Sequence, residues 1–200
     1  GIMAESLTDD VGLQLLQNAF ATAGVLAALI VAFGAVSGAH FNPVVTLVDH
    51  ALGGVDRRTA LAYVPAQTAG GVLGVMAANV MFDLRVVDWS TKDRSDARLV
   101  FAEFVATLGL LLVIFLTVRR GNERAVPFAV AGYIGGAYYF TSSTSFANPA
   151  VTIARMFSDS FAGIEPSSAP MFVVAQVVAA AVGLGMIRIM TPAHPRHDAQ

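Results

Sequence analysis

The chain has 200 residues, of which 56% are hydrophobic and only 13% charged, and its mean hydropathy of +0.66 is too high for an ordinary soluble domain. A net charge of -2, with no basic run, excludes a nucleic-acid partner. The absence of cysteine excludes disulfides, thiolate metal sites and cysteine nucleophiles.

A spanning helix needs roughly 20 apolar residues to cross a hydrocarbon core of about 30 Å. No charged segment followed by a small-residue cleavage site precedes the first apolar run, so no signal peptide is expected. The first span is predicted over residues 13–36, which hold no ionisable group. Segment 42–52 opens with Asn-Pro and ends at Gly53-Gly54, which predicts a helix of about 10 residues and roughly 15 Å, half a bilayer. A second span over 59–82 is followed by the polar loop 84–97, which carries the only lysine. Further spans are predicted over 99–118, 125–141 and 169–190, with a second short element over 148–157 that again opens with Asn-Pro.

Alternating these spans puts Arg57, Arg58, Arg119, Arg120, Arg124, Arg188 and Arg196 on one side. The positive-inside rule makes that side cytoplasmic and places the C-terminus there. Arg85, Lys92, Arg94 and Arg98 lie opposite, interleaved with Asp83, Asp88, Asp93 and Asp96.

Setting Asn42 on Asn148, 106 positions later, aligns Asn-Pro-Val-Val-Thr-Leu with Asn-Pro-Ala-Val-Thr-Ile. Ala66-Gln67 then falls within three residues of the register of Ala175-Gln176. Each half runs span, re-entrant half-helix, span, and an odd number of crossings between them gives inverted topology about a pseudo-two-fold axis in the membrane plane. In the second half the span with Ala102-Glu103-Phe104 precedes Asn148, Glu103 by 45 residues. Its partner in the first half would lie before residue 1, with Gly1-Ile2-Met3-Ala4 as the remnant of its end. Five spans are therefore expected here and six in the complete protein. The expected organisation is one channel domain over 1–200, with a truncated first repeat (1–83), a second repeat (98–192) and a polar cytoplasmic tail (193–200).

A single Asn-Pro is an ordinary helix start, since Asn caps and Pro suits the first turn. Two of them opening half-length apolar helices inside a membrane repeat point to a pore: Asn42, Pro43 and Val44 with Asn148, Pro149 and Ala150. Non-helical backbone at membrane depth survives only where protein buries it or water solvates it. The carbonyls of Gly38, Ala39, His40 and Phe41, and of Thr144, Ser145 and Phe146, are accordingly expected to line a wet path. Asn42 and Asn148 would each offer an amide N–H to the solute at the meeting point. Two helix N-termini aimed there oppose cations and protons, which leaves uncharged hydrogen-bonding solutes.

Ser-Gly-Ala-His-Phe-Asn-Pro, the second Asn-Pro-Ala, the Ala-Gln pairs and Ala-Glu-Phe resemble the major intrinsic protein family of aquaporins and glycerol facilitators across nearly the whole chain. The resemblance implies an all-α bundle of six spans plus two half-helices, embedded in a lipid bilayer and assembled as a homotetramer with one pore per subunit. It also implies a filter at four positions set by spacing from the two motifs: Thr22, Gly136, Ser145 and Val151. Water-selective members would carry an aromatic residue, His, a small residue and Arg there, so the bulky and charged elements are missing. Arg155, a helical turn beyond Val151, is not expected to replace the missing Arg. A wide, uncharged filter is similar to that of bacterial arsenite channels of this family. It implies passive conduction of neutral arsenous acid, with glycerol, urea and water as further solutes.

Glu103 reads either as an intramembrane proton or ion site or, by the resemblance, as a brace for the re-entrant loop, a role shared with Gln67 and Gln176. His40 either senses pH at the cytoplasmic vestibule or fixes its loop. Gly70 with Gly74, and Gly132 with Gly136, have a spacing that lets helices approach closely. Tyr138, Tyr139 and Trp89 read as interface aromatics. Ser37 and His40 have no convergent acid, and no cluster has metal-ligand spacing, so neither enzyme chemistry nor a metal or cofactor is expected. A glycerol and water facilitator without an arsenic role, a secondary transporter and a nonconducting subunit stay open as alternatives.

Overall fold

The computed structural model describes residues 1–191. Arg196 and the tail over 193–200, expected on the cytoplasmic side, lie outside the described residues. Among the described residues eight α-helices follow one another: α1 (Ile2–Leu7), α2 (Val11–Ser37), α3 (Pro43–Ala51), α4 (Arg57–Met81), α5 (Ala97–Arg119), α6 (Val126–Phe140), α7 (Pro149–Ala154) and α8 (Ala169–Met190). Among the described residues there is no strand.

Local chemistry sets the boundaries. Asp10, Asp56 and Asp96 cap α2, α4 and α5, each accepting a backbone N–H of the first turn. α2 ends at Gly38 in the left-handed region, φ 74°, where a Cβ would be strained. α2, α4, α5 and α8 are long and apolar enough to cross a membrane. The fifth expected span is shorter: α6 has 15 residues, preceded by a 3-10 turn over Glu123–Ala125. Pro127 explains that start, because it sits at the first helical positions and cannot donate to an earlier turn.

Each half-helix starts where its Asn-Pro places it. α3 runs 9 residues from the Asn42 cap, and α7 runs 6 from the Asn148 cap before a 3-10 turn over Arg155–Phe157. α5 packs on α8 and α6, α2 packs on α6, and the half-helices lie against α4 and α8. Lipid offers little hydrophobic drive between helices, so close packing and polar contacts hold such a bundle. The close approaches fall elsewhere than at Gly70, Gly74 and Gly132, where a Cβ would meet nothing within 4 Å. Gly71 is the one that matters between α4 and α7, since a Cβ there would stand 3.4 Å from the Ala150 carbonyl oxygen and 3.2 Å from the Ala154 Cβ.

Candidate functional site

The two re-entrant loops repeat each other in backbone conformation. Left-handed φ occurs at Gly38 and Thr144 (74° and 64°), at Ala39 and Ser145 (48° and 52°), and at Phe41 and Ala147 (47° and 48°). These pairs are related by the same offset that aligns the Asn-Pro motifs. Such conformations cost free energy in residues other than glycine and persist only where the surroundings enforce them.

The enforcement begins with the asparagines. Asn42 Oδ1 accepts from Val44 N at 3.1 Å, and Asn148 Oδ1 from Ala150 N at 3.0 Å, so each carbonyl caps its own half-helix. Each amide nitrogen then crosses to the other repeat: Asn42 Nδ2 donates to the Ala147 carbonyl at 2.8 Å, and Asn148 Nδ2 to the Phe41 carbonyl at 2.8 Å. A side-chain amide has two N–H donors, so each Asn keeps one beyond this reciprocal pair. Pro43 and Pro149 occupy the first helical positions and are buried.

Glu103, fully buried on α5, holds the second loop. It accepts from Phe146 N at 2.7 Å, Ala147 N at 2.8 Å, Ser143 Oγ at 2.7 Å and Gln176 Nε2 at 2.7 Å. Gln176 also donates to Thr152 Oγ1 at 2.9 Å. In the first repeat Gln67 Nε2 donates to Thr46 Oγ1 at 2.9 Å, and His40 Nδ1 lies 3.1 Å from the same hydroxyl. His40 Nε2 stands 3.6 Å from Asp49, and the ring meets Tyr63 edge-on at 5.9 Å, so the imidazole ties loop, half-helix and α4 together.

A cavity of about 240 Å³ threads this arrangement. Gly38, Ala39, His40, Phe41, Asn42 and Asn148 border it at the junction of the repeats, and Val45 and Asp49 on the α3 side. Thr22, Ser145, Phe146 and Val151 border it on the α7 side. Pro43, Val44, Pro149 and Ala150 are buried behind the lining, and Thr144, half-buried, lies outside it. Leu26, Ile30, Leu110, Ile114, Val130 and Ile134, which cluster with one another, form an apolar part of the lining.

Gly136, expected in the filter by spacing, lies outside the lining, and Tyr138 stands there instead. The helix period explains the exchange. Val126, Val130, Ile134 and Tyr138 recur every fourth residue and form the inward stripe of α6. Gly136, two positions from both Ile134 and Tyr138, turns away from that stripe. Tyr138 is therefore no interface aromatic: it is 2% exposed, whereas Tyr139 and Trp89 are both 54% exposed. Arg155 also lines the cavity, four positions after Val151 on the same helix face, contrary to the expectation of an uncharged filter.

The loop between α4 and α5 closes this end. Arg94, 5% exposed, donates from Nε to the Gly163 carbonyl, from Nη1 to Ser143 and from Nη2 to Phe161. Burial and the neighbouring Arg155 charge push its pKa down to about 10, which leaves it protonated at neutral pH. Asn79 Nδ2, fully buried on α4, bonds the Phe157 carbonyl at 2.8 Å and so pins the turn that carries Arg155.

Two inverted half-helices meeting at paired asparagines, inside a bundle of apolar spans, define a multi-pass membrane channel. The chain matches the major intrinsic protein family over residues 2–138 and belongs to it; proteins of this family are channels for small solutes, not enzymes. It is 45% identical to aquaglyceroporin AqpS of Rhizobium meliloti (strain 1021), over 98% of this chain and 84% of that protein. It is 29% identical to aquaporin NIP1-4 of Oryza sativa subsp. japonica, over 82% of this chain, and 34% identical to aquaporin-2 of Homo sapiens, over 70% of it. The chain spans 61% and 55% of those two relatives' lengths.

Proposed function

We propose that the chain conducts small uncharged hydroxylated solutes passively, with arsenous acid, glycerol, urea and water among them. The observation that carries this reading is the amphipathic cavity: hydrogen-bonding groups from Asn42 to Ser145 share its lining with aliphatic side chains from Leu26 to Ile134. A molecule with hydroxyls on one side and little charge satisfies both kinds of lining, whereas an ion gives up its hydration to a lining that is mostly aliphatic. The likeness to an aquaglyceroporin supports the polyol class. Val151, an aliphatic side chain on the lining, supports a passage wide enough for a solute with three hydroxyls. Thr22, Ser145 and Val151 are the assigned filter residues; Glu103, Gln67 and Gln176 are the assigned braces.

We infer further that the protein works as a homotetramer in the cell membrane with a cytoplasmic C-terminus. Large exposed apolar side chains on the outer faces of α2 and α4, such as Phe20, Val36, Leu61 and Leu73, support burial against lipid or neighbouring subunits.

Proteoliposomes loaded with the protein test the solute class by stopped-flow light scattering and arsenite uptake. The parent should pass glycerol and arsenite, and Val151→Arg should lower both by about tenfold, because a long cation then crosses the passage. Unchanged arsenite flux in Val151→Arg would sink the filter assignment. Glycerol flux without arsenite flux would leave a glycerol and water facilitator.

A further inference from the structure

Arg94 lies in the loop before α5, outside the lining of the cavity, and is nevertheless buried. Its backbone N–H donates to Ser168 Oγ at 3.0 Å, and that hydroxyl donates to Asp93 Oδ1 at 3.1 Å, so the loop is pinned to the cap position of α8 before the side chain turns inward. The guanidinium then reaches carbonyls on two other segments: Gly163 at 2.8 Å, Phe161 at 3.3 Å and Ser143 at 2.9 Å. Its carbon lies 4.9 Å from the centroid of the Phe146 ring. Among the described residues no carboxylate forms an ion pair with it. A buried cation adds little net stability over an apolar side chain of the same size. What it supplies that an apolar side chain cannot is direction, since one planar fork holds several acceptors at fixed places.

Ser143 is the contact that leads to the cavity. Its carbonyl is held by Arg94, while its hydroxyl donates to Glu103 Oε1 at 2.7 Å and accepts from Ser145 N at 3.2 Å. The residue is thus gripped at both ends immediately before Thr144 and Ser145, whose φ values of 64° and 52° are left-handed. Ser145 and Phe146 line the cavity, and Phe146 packs in one apolar cluster with Val151.

We propose that Arg94 is a positioning residue for the outer part of the passage: by holding the Ser143 carbonyl it sets where Ser145 and Phe146 stand, and through them the preference for a polyol over water. The proposal rests on the channel reading above and deepens it. Loss of the Arg94 bond frees Thr144 and Ser145 to leave a backbone region that costs free energy outside glycine. A polyol needs several hydrogen-bonding groups aligned at once, whereas a water molecule is served by one or two, so the polyol suffers more from a displaced lining.

Proteoliposomes carrying the protein give glycerol and water permeability by stopped-flow light scattering on the same vesicles. The ratio of the two, after subtraction of the protein-free lipid rate, does not depend on how many folded channels a vesicle holds, so a merely structural role would not move it. Arg94→Met, which keeps the length and removes the donors, is expected to lower the glycerol-to-water ratio about fivefold. Arg94→Lys should still lower it about threefold, because a single ammonium returns the charge but not the planar fork; it takes over the test if Arg94→Met does not reconstitute. Lys92→Met is the comparison: it removes a 2.8 Å bond from Lys92 Nζ to the same Phe161 carbonyl, involves no bond to Ser143, and should leave the ratio at the parent's value. A ratio equal to the parent's in either Arg94 variant overturns the proposal, and so does an equal fall in Lys92→Met, which would make Arg94 one of several outer fastenings. A parent that passes neither solute overturns the channel reading and the proposal with it, whereas an unchanged ratio beside a conducting parent leaves that reading standing.

Discussion

The loops over residues 38–41 and 144–147 have nearly the same backbone but different supports. Matching left-handed residues recur at three pairs of positions, and both loops feed a half-helix capped by Asn. The second is gripped by a buried carboxylate with four hydrogen bonds. Among the described residues, the first has the Thr46, His40 and Gln67 contacts and a buried Gln67 Oε1 with no partner. The loops share the Asn caps, the Pro residues and the reciprocal Asn42 and Asn148 bonds, which act on both conformations.

Three substitutions would sharpen or break this contrast. The largest effect is expected for Glu103→Ala, which strands two buried N–H groups, a hydroxyl and an amide. At about 1.5–3 kcal/mol for each hydrogen bond to a charged group, with partial relaxation, a loss of about 4 kcal/mol is expected. Thermal unfolding in detergent measures it, and a loss below about 1 kcal/mol would show that the carboxylate is dispensable. Gln176→Leu should cost about 2 kcal/mol in the same assay, since it removes donors to both Glu103 and Thr152 from a fully buried site. Gln67→Leu should cost less than about 1 kcal/mol, because losing its bond to Thr46 is offset by removing the orphan Oε1. Equal costs for the two glutamines would erase the difference between the repeats.

Much of the fold was legible from periodicity and motif. The apolar runs gave α2, α4, α5 and α8 to within about two residues, and each Asn-Pro located a half-helix because cap and proline act within a single turn. Less was legible at the site. Spacing from Asn148 pointed to Gly136, whereas the inward stripe of α6 contains Tyr138; the signal that could have found it is the recurrence of Val126, Val130 and Ile134 at every fourth position. Arg155 stands one turn beyond the filter spacing, yet that turn keeps it on the side of Val151, and its guanidinium reaches Tyr138 Oη at 3.1 Å. Gly70, Gly74 and Gly132 had the spacing of packing glycines, yet no other helix comes within 4 Å of where a Cβ would stand.

The sequence by itself determined the membrane class, the inverted repeat and the two capped half-helices, since these follow from local hydropathy, capping and proline geometry. Only the tertiary structure decided that the amides of Asn42 and Asn148 cross to the opposite repeat, that Glu103 closes on residues some 40 positions away, and that Arg155 reaches Tyr138 and Phe146. Those contacts depend on the rotation and depth of helices distant in the chain, which no local periodicity encodes.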